Sequence, residues 1–368
     1  MKLLKLLRVP VAMTLASFML LSGCTSKPST SSTPSSSGPS TSETAKAPEK
    51  SVFDGQRIRI IIGSTSTGGD TYLTADTVGR YLSAAVNANA KVDAIGAGRA
   101  LEEITKAKGD GSTMMIFHDM TYLGVSFGAY DEAYKLENFI VGPRMSINPG
   151  YCLVGKADLP YNNLKEMADW LKANPNETVK LAIESGGLSH LGFIAFYDFV
   201  AKNYGQDVAD RVKAYVSGST DEKRQAIWDG NCDAMFADVT NEEQYTKDGV
   251  DAQIKMKFLG IYAGERIEGK DIPTFAEQGI TLNGEPFIFD KEFTIFLPKD
   301  TPQNIIDELD AACKKVAEDP KFQEELAKYG YIPAYLSTAD NQKHMYEKRD
   351  IYDALIKNAP SLDALTAN

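Results

Sequence analysis

The sequence predicts an α/β protein in which parallel sheets are covered by helices, with enough chain for two lobes. Three observations carry this reading. Short β-branched or apolar runs alternate with stretches of helical period from residue 57 onward. Small, polar, glycine-rich loops follow several of those runs. The body from residue 51 to residue 368 is long enough to bury two separate cores.

The expected strands are 57–62, 91–95, 113–117, 179–183, 212–215, 234–237, 257–261 and 293–297, each an apolar or β-branched run. Between them lie amphipathic segments. In "NLKEMADWLKANP", Leu164, Met167, Ala168 and Leu171 share one face, and Pro175 lies beyond the end. In "TPQNIIDELDAACKKVAEDP", Thr301 is expected as cap and Pro302 in the first turn, with Ile305, Leu309, Cys313 and Val316 pointing inward.

The ends are of a different kind. Lys2, Lys5 and Arg8 precede a mostly apolar stretch from Val9 to Leu21, which reads as an export signal, residues 1–23. "LSGC", Leu21 to Cys24, resembles the lipobox of bacterial lipoproteins, so Cys24 is the expected lipidation site and the expected anchor to the membrane. Residues 25–50 contain no large apolar side chain and are expected to form a disordered tether, reaching roughly 30 Å. Cys152, Cys232 and Cys313 are odd in number and widely spaced, so three buried free thiols are expected, although one bridge is conceivable. A net charge of −11 without a basic stripe argues against nucleic acid.

Specific chemistries can be tested in turn. No Lys follows Gly68-Gly69 as a phosphate loop requires, and "GAGRAL" at 96–101 lacks the third glycine of a dinucleotide fingerprint. "GLSHLG" places Ser189 beside His190 but misses the hydrolase elbow by one residue, and adjacent side chains diverge. His118, His190 and His344 are solitary, so no metal is expected, and no cofactor either. What remains is non-covalent capture of an anion or polar solute. Loops that open helices offer unpaired N–H groups and the positive end of a helix dipole. Ser64, Thr65, Gly68, Gly69 and Thr71 form one such nest, and Gly186, Gly187 and Ser189 form another. Facing each other, they would hold the two ends of a dicarboxylate. Asp70 is a helix cap or an acceptor for a ligand hydroxyl, amine or water, and Thr121 joins the site from the loop "HDMTYLG". Arg99, Arg144 and Lys156 could each pair a distal carboxylate, but a surface role is expected for each.

The loops in order resemble the extracytoplasmic solute receptors of tripartite tricarboxylate transporters, the Bordetella uptake protein family. The likeness covers roughly residues 57 to 345. It rests on "IIIGSTSTGGDT", "IGAGRALEEITKAKGDGSTMMIF", "ESGGLSHLGFIAF", "CDAMFADVTN", "DIPTFAEQG" at 271–279 and "TIFLPKDTP" at 294–302. The family's Pro-Phe in the first loop is Gly63-Ser64 here, and Asp70 follows the glycines directly. The resemblance implies a two-lobed periplasmic-binding-protein fold of the second type, each lobe a mixed, mostly parallel sheet flanked by helices. It implies lobe I at 51–150 plus 262–368 and lobe II at 151–261, with hinges near Asn148–Leu153 and Phe258–Tyr262. It also implies a small carboxylate held at Gly68, Gly69, Thr71, Gly187, Ser189, His190 and Asp238. The expected partners are that organic acid and the membrane permease subunits; the receptor is expected to be extracytoplasmic, monomeric and not an enzyme. The alternatives are a neutral or amino-acid ligand, a signalling receptor, or an exported hydrolase using Ser189 and His190.

Overall fold

The computed structural model describes residues 51–282, 284–357 and 360–366. The export signal, Cys24 and the tether lie outside the described residues. The first part of the chain runs β1 (Arg57–Ile62), α1 (Asp70–Val86), β2 (Asn89–Ala94), α2 (Ala97–Lys106), β3 (Thr113–Phe117), α3 (Met120–Ser126) and β4 (Phe139–Asn148). The middle runs β5 (Tyr151–Lys156), α4 (Leu164–Ala173), β6 (Val179–Ile183), α5 (Leu188–Tyr204), α6 (Gln206–Ala209), β7 (Val212–Val216), α7 (Thr220–Trp228), β8 (Ala234–Asp238), α8 (Val239–Glu242) and β9 (Met256–Ile261). A small hairpin, β10 (Thr281–Leu282) and β11 (Glu285–Pro286), precedes β12 (Lys291–Pro298), α9 (Gln303–Ala317), α10 (Pro320–Lys328), β13 (Ile332–Leu336), α11 (Thr338–Ile356) and α12 (Leu362–Leu365).

Two large sheets result. One has the order β2-β1-β3-β12-β4-β13 and the other β7-β6-β8-β5-β9. In each, three parallel strands are joined by helical crossovers. The fourth strand, β12 or β5, arrives from the other sheet's side of the chain and pairs antiparallel. Both sheets are therefore mixed and two-lobed in arrangement, with helices on their faces.

Side-chain alternation explains the packing. Ile58, Ile60 and Ile62 join Val78 and Leu82 of α1 and Leu309 and Cys313 of α9 in one core. Ile61 points the other way, toward Leu101 and Ile104 of α2. Helix α4 begins where the Asn163 side chain accepts the Glu166 N–H at 2.8 Å, and it buries Leu164, Met167, Ala168 and Leu171. Helix α9 buries Ile305, Leu309, Cys313 and Val316 but starts at Gln303. Its cap position is Pro302, because the Thr301 hydroxyl donates back to the Pro298 carbonyl at 2.7 Å. Cys152, Cys232 and Cys313 are free and buried. No helix among the described residues is long and apolar enough to cross a membrane.

The segment after β9 stays with the second sheet. Thr274 bridges Ile261, Phe289 N–H donates to the Tyr262 carbonyl, and Phe275 and Phe287 pack against the Tyr262 ring at 4.7 and 4.9 Å. The chain re-enters the first sheet only at Lys291. At the far end, Thr366 bridges Ala214 of β7, so the carboxyl tail also touches the second sheet.

Candidate functional site

In the first sheet, β3, β1 and β2 lie side by side and are followed by His118, by Gly63–Ser66 and by Gly96–Gly98. In the second, β7, β6 and β8 lie side by side and lead to Ser217–Thr220, to Glu184 through Gly187 and to Asp238. Residues from all six segments line one cavity of 790 Å³. Ligands of open α/β sheets sit at this position, beyond the carboxyl ends of the strands.

Several helices present their amino ends here, but most are already occupied. The Asp70 carboxylate accepts the Thr71 N–H at 2.7 Å, and its other oxygen binds Lys291 Nζ at 2.6 Å. The Ser219 hydroxyl caps α7 by accepting the Glu222 N–H at 3.2 Å, and the Glu222 carboxylate takes the Gly218 N–H at 2.6 Å. Asp238 caps α8 through the N–H groups of Thr240 and Asn241, at 2.9 and 3.3 Å. Helix α1, capped by Gly69, has no side-chain bond at its cap either, but Asp70 takes its Thr71 N–H. Helices α2 and α5, capped by Gly96 and Gly187, have no side-chain cap. These two open ends lie in different lobes and line the same cavity.

The floor is a polar cluster that spans both lobes. Asn148 Nδ2 donates to Asp70 at 3.2 Å and also to Asp238. Lys291 lies over the rings of Tyr151 and Phe293, at 5.6 and 5.4 Å. Burial, and then the charge of Asp70, push the Asp238 carboxyl up to about 7. The sign is therefore unfavourable at higher pH. Stability from this group is full below the unfolded value of 3.8 and is lost as pH rises through about 7. Among the described residues lining the cavity, Lys291 is the only lysine or arginine, and Asp70 already holds it.

The sequence-derived site divides. Ser64, Thr65, Gly69, Asp70, Thr71, Gly187 and Asp238 line the cavity. Gly68 lies at the mouth, in an adjoining space of 380 Å³ shared with Thr220 and Asn241. Thr121, Gly186, Ser189 and His190 do not line it, and their contacts show why. The Thr121 hydroxyl donates to the His118 carbonyl at 3.1 Å. Gly186 holds a turn at φ 74°, where a side chain would meet Ala129. The Ser189 hydroxyl accepts the Glu184 N–H at 2.8 Å. His190 stacks on Phe127 at 4.0 Å, and its Nδ1 accepts the Gly186 N–H at 3.4 Å. Ser189 and His190 thus support the loop and face different partners, unlike a nucleophile and its base. Ser64 likewise turns its hydroxyl to the Ser66 N–H at 3.1 Å.

Arg144 belongs to a buried network with Glu292, and Arg99 pairs Glu103 at 2.8 Å on the surface; neither lines the cavity. Residues that sequence reasoning left out are Lys291, His118 and Gly96–Gly98. Lys291 carried a signal: a lysine opening an apolar strand is rarely buried unless paired. Gly63 replaces the family's proline, and a side chain there would overlap the ring of Phe117.

Two mixed sheets of this order, with a ligand-sized cleft at the strand ends, define a two-lobed periplasmic-binding-protein fold. The chain belongs to the tripartite tricarboxylate transporter family receptors, TctC, whose family model matches residues 74–360. It is a solute-binding receptor of that family.

Solved structures agree on the fold. The periplasmic binding protein BugD aligns over 85% of this chain and 99% of its own, at 19% identity and a TM-score of 0.66. MatC from Rhodopseudomonas palustris, with bound malate, aligns over 82% and 99%, at 19% identity and 0.67. An R. palustris protein with adipate aligns over 82% and 96%, at 17% identity and 0.68. Among curated sequences, a UPF0065 protein of Bordetella pertussis is 22% identical over 272 residues, 72% of this chain and 75% of that one. The UPF0065 protein in gbd 5'region of Cupriavidus necator is 28% identical over 188 residues; the match spans about half of each, 50% and 51%.

Proposed function

We propose that the protein captures a small organic acid, a di- or tricarboxylate, between its lobes and delivers it to a membrane permease. The observation that carries this is the pair of uncapped helix ends, α2 and α5, opening into one cleft from different lobes. Each can take a carboxylate on main-chain N–H groups. The malate and adipate bound to structural neighbours support an acid of this size. Ligand contact to both lobes is what would favour a closed form, since only differential affinity shifts such a balance. The lobes would pivot where β4 passes into β5 and where Phe289–Lys291 returns, later than the crossing at Phe258–Tyr262 expected from sequence. The receptor would act extracytoplasmically, tethered by lipid at Cys24, as a monomer, and without catalysis.

A second reading rests on the acidic lining. Asp70, Glu184, Glu222 and Asp238 line the cavity; Lys291 holds Asp70 and Lys223 holds Glu184. An amino acid whose ammonium meets one of the remaining carboxylates is the alternative. A thermal-shift screen of residues 51–368 against C4 to C8 dicarboxylates, citrate, aromatic acids, acidic amino acids and sugars separates the two. A ligand at a hundred times its Kd adds about 2.7 kcal/mol. A shift with simple organic acids supports the first reading, a shift with amino acids alone supports the second, and a shift with sugars alone overturns both.

For a purely anionic ligand, affinity is expected to fall as pH rises from 6 to 8, because Asp238 gains charge in the cleft. Asp238→Asn, which keeps an oxygen for the α8 cap, should flatten that profile in titration calorimetry. An unchanged slope in the variant would assign the dependence elsewhere.

A further inference from the structure

We propose that His118 is a ligand-binding residue, a neutral imidazole whose Nε2–H donates to an oxygen of the bound acid. The proposal rests on the reading of the cleft above and adds a side-chain donor to its main-chain ones.

His118 follows β3 and stands next to the Gly63–Ser66 turn in the row of loops on the first lobe. Only 7% of its surface is exposed, yet it lines the cavity. Its ring is fixed from three sides: Phe117 lies 4.3 Å away, Phe293 lies 5.9 Å away, and Nδ1 accepts the Met120 N–H at 3.3 Å. Using Nδ1 as acceptor places the ring proton on Nε2. That nitrogen has no partner among the described residues. Unlike His190 Nε2, it is not sealed from solvent, so it opens to the cavity, where a ligand oxygen can take its hydrogen bond.

Of the three histidines only His118 lines the cavity; His190 also accepts a backbone N–H at Nδ1 and leaves Nε2 without a partner, but away from the cleft. His190 is stacked beneath its loop, outside the cavity lining, and His344 bonds Glu292 at 2.9 Å. Burial, followed by the charges of Lys291 and Lys348, keeps His118 neutral well below the usual histidine range. Asp119, its neighbour in sequence, is engaged with Lys348 at 2.7 Å and with the Tyr122 hydroxyl at 2.9 Å, and Asp70, which also lines the cavity, with Lys291. His118 therefore acts as a fixed donor at neutral pH. It donates to a carboxylate or hydroxyl oxygen there and disfavours an ammonium or amide N–H, which would leave both donors unpaired.

The test is titration calorimetry with malate and adipate as probes, on the wild type and on His118→Phe and His118→Gln. Phenylalanine keeps a ring between Phe117 and Phe293 without the donor; glutamine restores an N–H. Expected is a loss of about tenfold or more in His118→Phe for the tighter acid, with partial recovery in His118→Gln and an unchanged melting temperature of the ligand-free protein. Binding within twofold of wild type in His118→Phe, or no recovery in His118→Gln, overturns the proposal and leaves the cleft assignment standing. Should the phenylalanine variant fail to fold, the ¹⁵N resonance of the wild-type Nε2 decides. A shift on adding the acid supports the assignment, and an unmoved signal overturns it. A wild type that binds no acid removes the cleft reading and this one with it.

Discussion

Gly187→Asp is expected to weaken binding of any carboxylate ligand by at least about 30-fold, roughly 2 kcal/mol, without weakening the fold. Gly187 sits at φ −104° and ψ −176°, extended backbone that any residue adopts. A Cβ there would meet the Glu184 carbonyl at 3.5 Å and Met120 Cε at 3.7 Å, ordinary contact distances. An aspartate at this position would cap α5 with its own carboxylate and take the N–H groups meant for the ligand. The ligand-free protein should therefore melt at the same temperature or higher, while calorimetry shows the lost affinity. Gly187→Ala brings no carboxylate and should lose far less. An unchanged Kd in Gly187→Asp would remove α5 from the site.

Glu292→Gln is the second large effect, on stability: a loss of about 3–5 kcal/mol. Glu292 is nearly buried and accepts from Arg144 and Lys348 at 2.6 Å and from His344 at 2.9 Å. Lys348 also binds Asp119 at 2.7 Å, and Asp119 accepts the Glu292 N–H at 2.8 Å. Burial alone would raise the Glu292 pKa, but His344, Lys348 and Arg144 hold it far below the usual carboxylate range. Its stabilisation is thus present above the unfolded value of 4.5 and is lost only as pH falls toward the folded one. A neutral amide would leave three donors, two of them fixed cations, facing a site without charge. Thermal unfolding followed by circular dichroism should show a drop of roughly 6 to 20 °C. A change under about 1 kcal/mol would mean that the network relaxes freely around position 292. Because Lys291 is the next residue along β12, ligand affinity should fall in the same variant.

The strands that carry the site were legible because they are uninterrupted. Thr113–Phe117 and Val179–Ile183 match their expected limits. Strands β4, β5 and β13 escaped sequence reading. Pro143 and Pro333 interrupt β4 and β13, whose pairing is irregular, whereas β5, "YCLVGK", has no proline and is a short apolar run of ambiguous type. The family segment "DIPTFAEQG" turns out to carry packing. Its Ile272, Thr274 and Phe275 are buried against the second sheet.

By itself the sequence determined that strands hand over to helices through small polar loops, because backbone geometry demands such residues there and binding uses the same N–H groups. It could not determine which of those helix ends stay open. That depends on where side chains turn once the sheets assemble. Asp70 folds back onto its own helix, while Lys291 reaches it from 221 residues away along the chain. The amino ends of α2 and α5 receive no such partner. Local propensity acts over a few residues, so only the packing of the two lobes brings these distant groups into one cleft and decides which donors are left for a ligand.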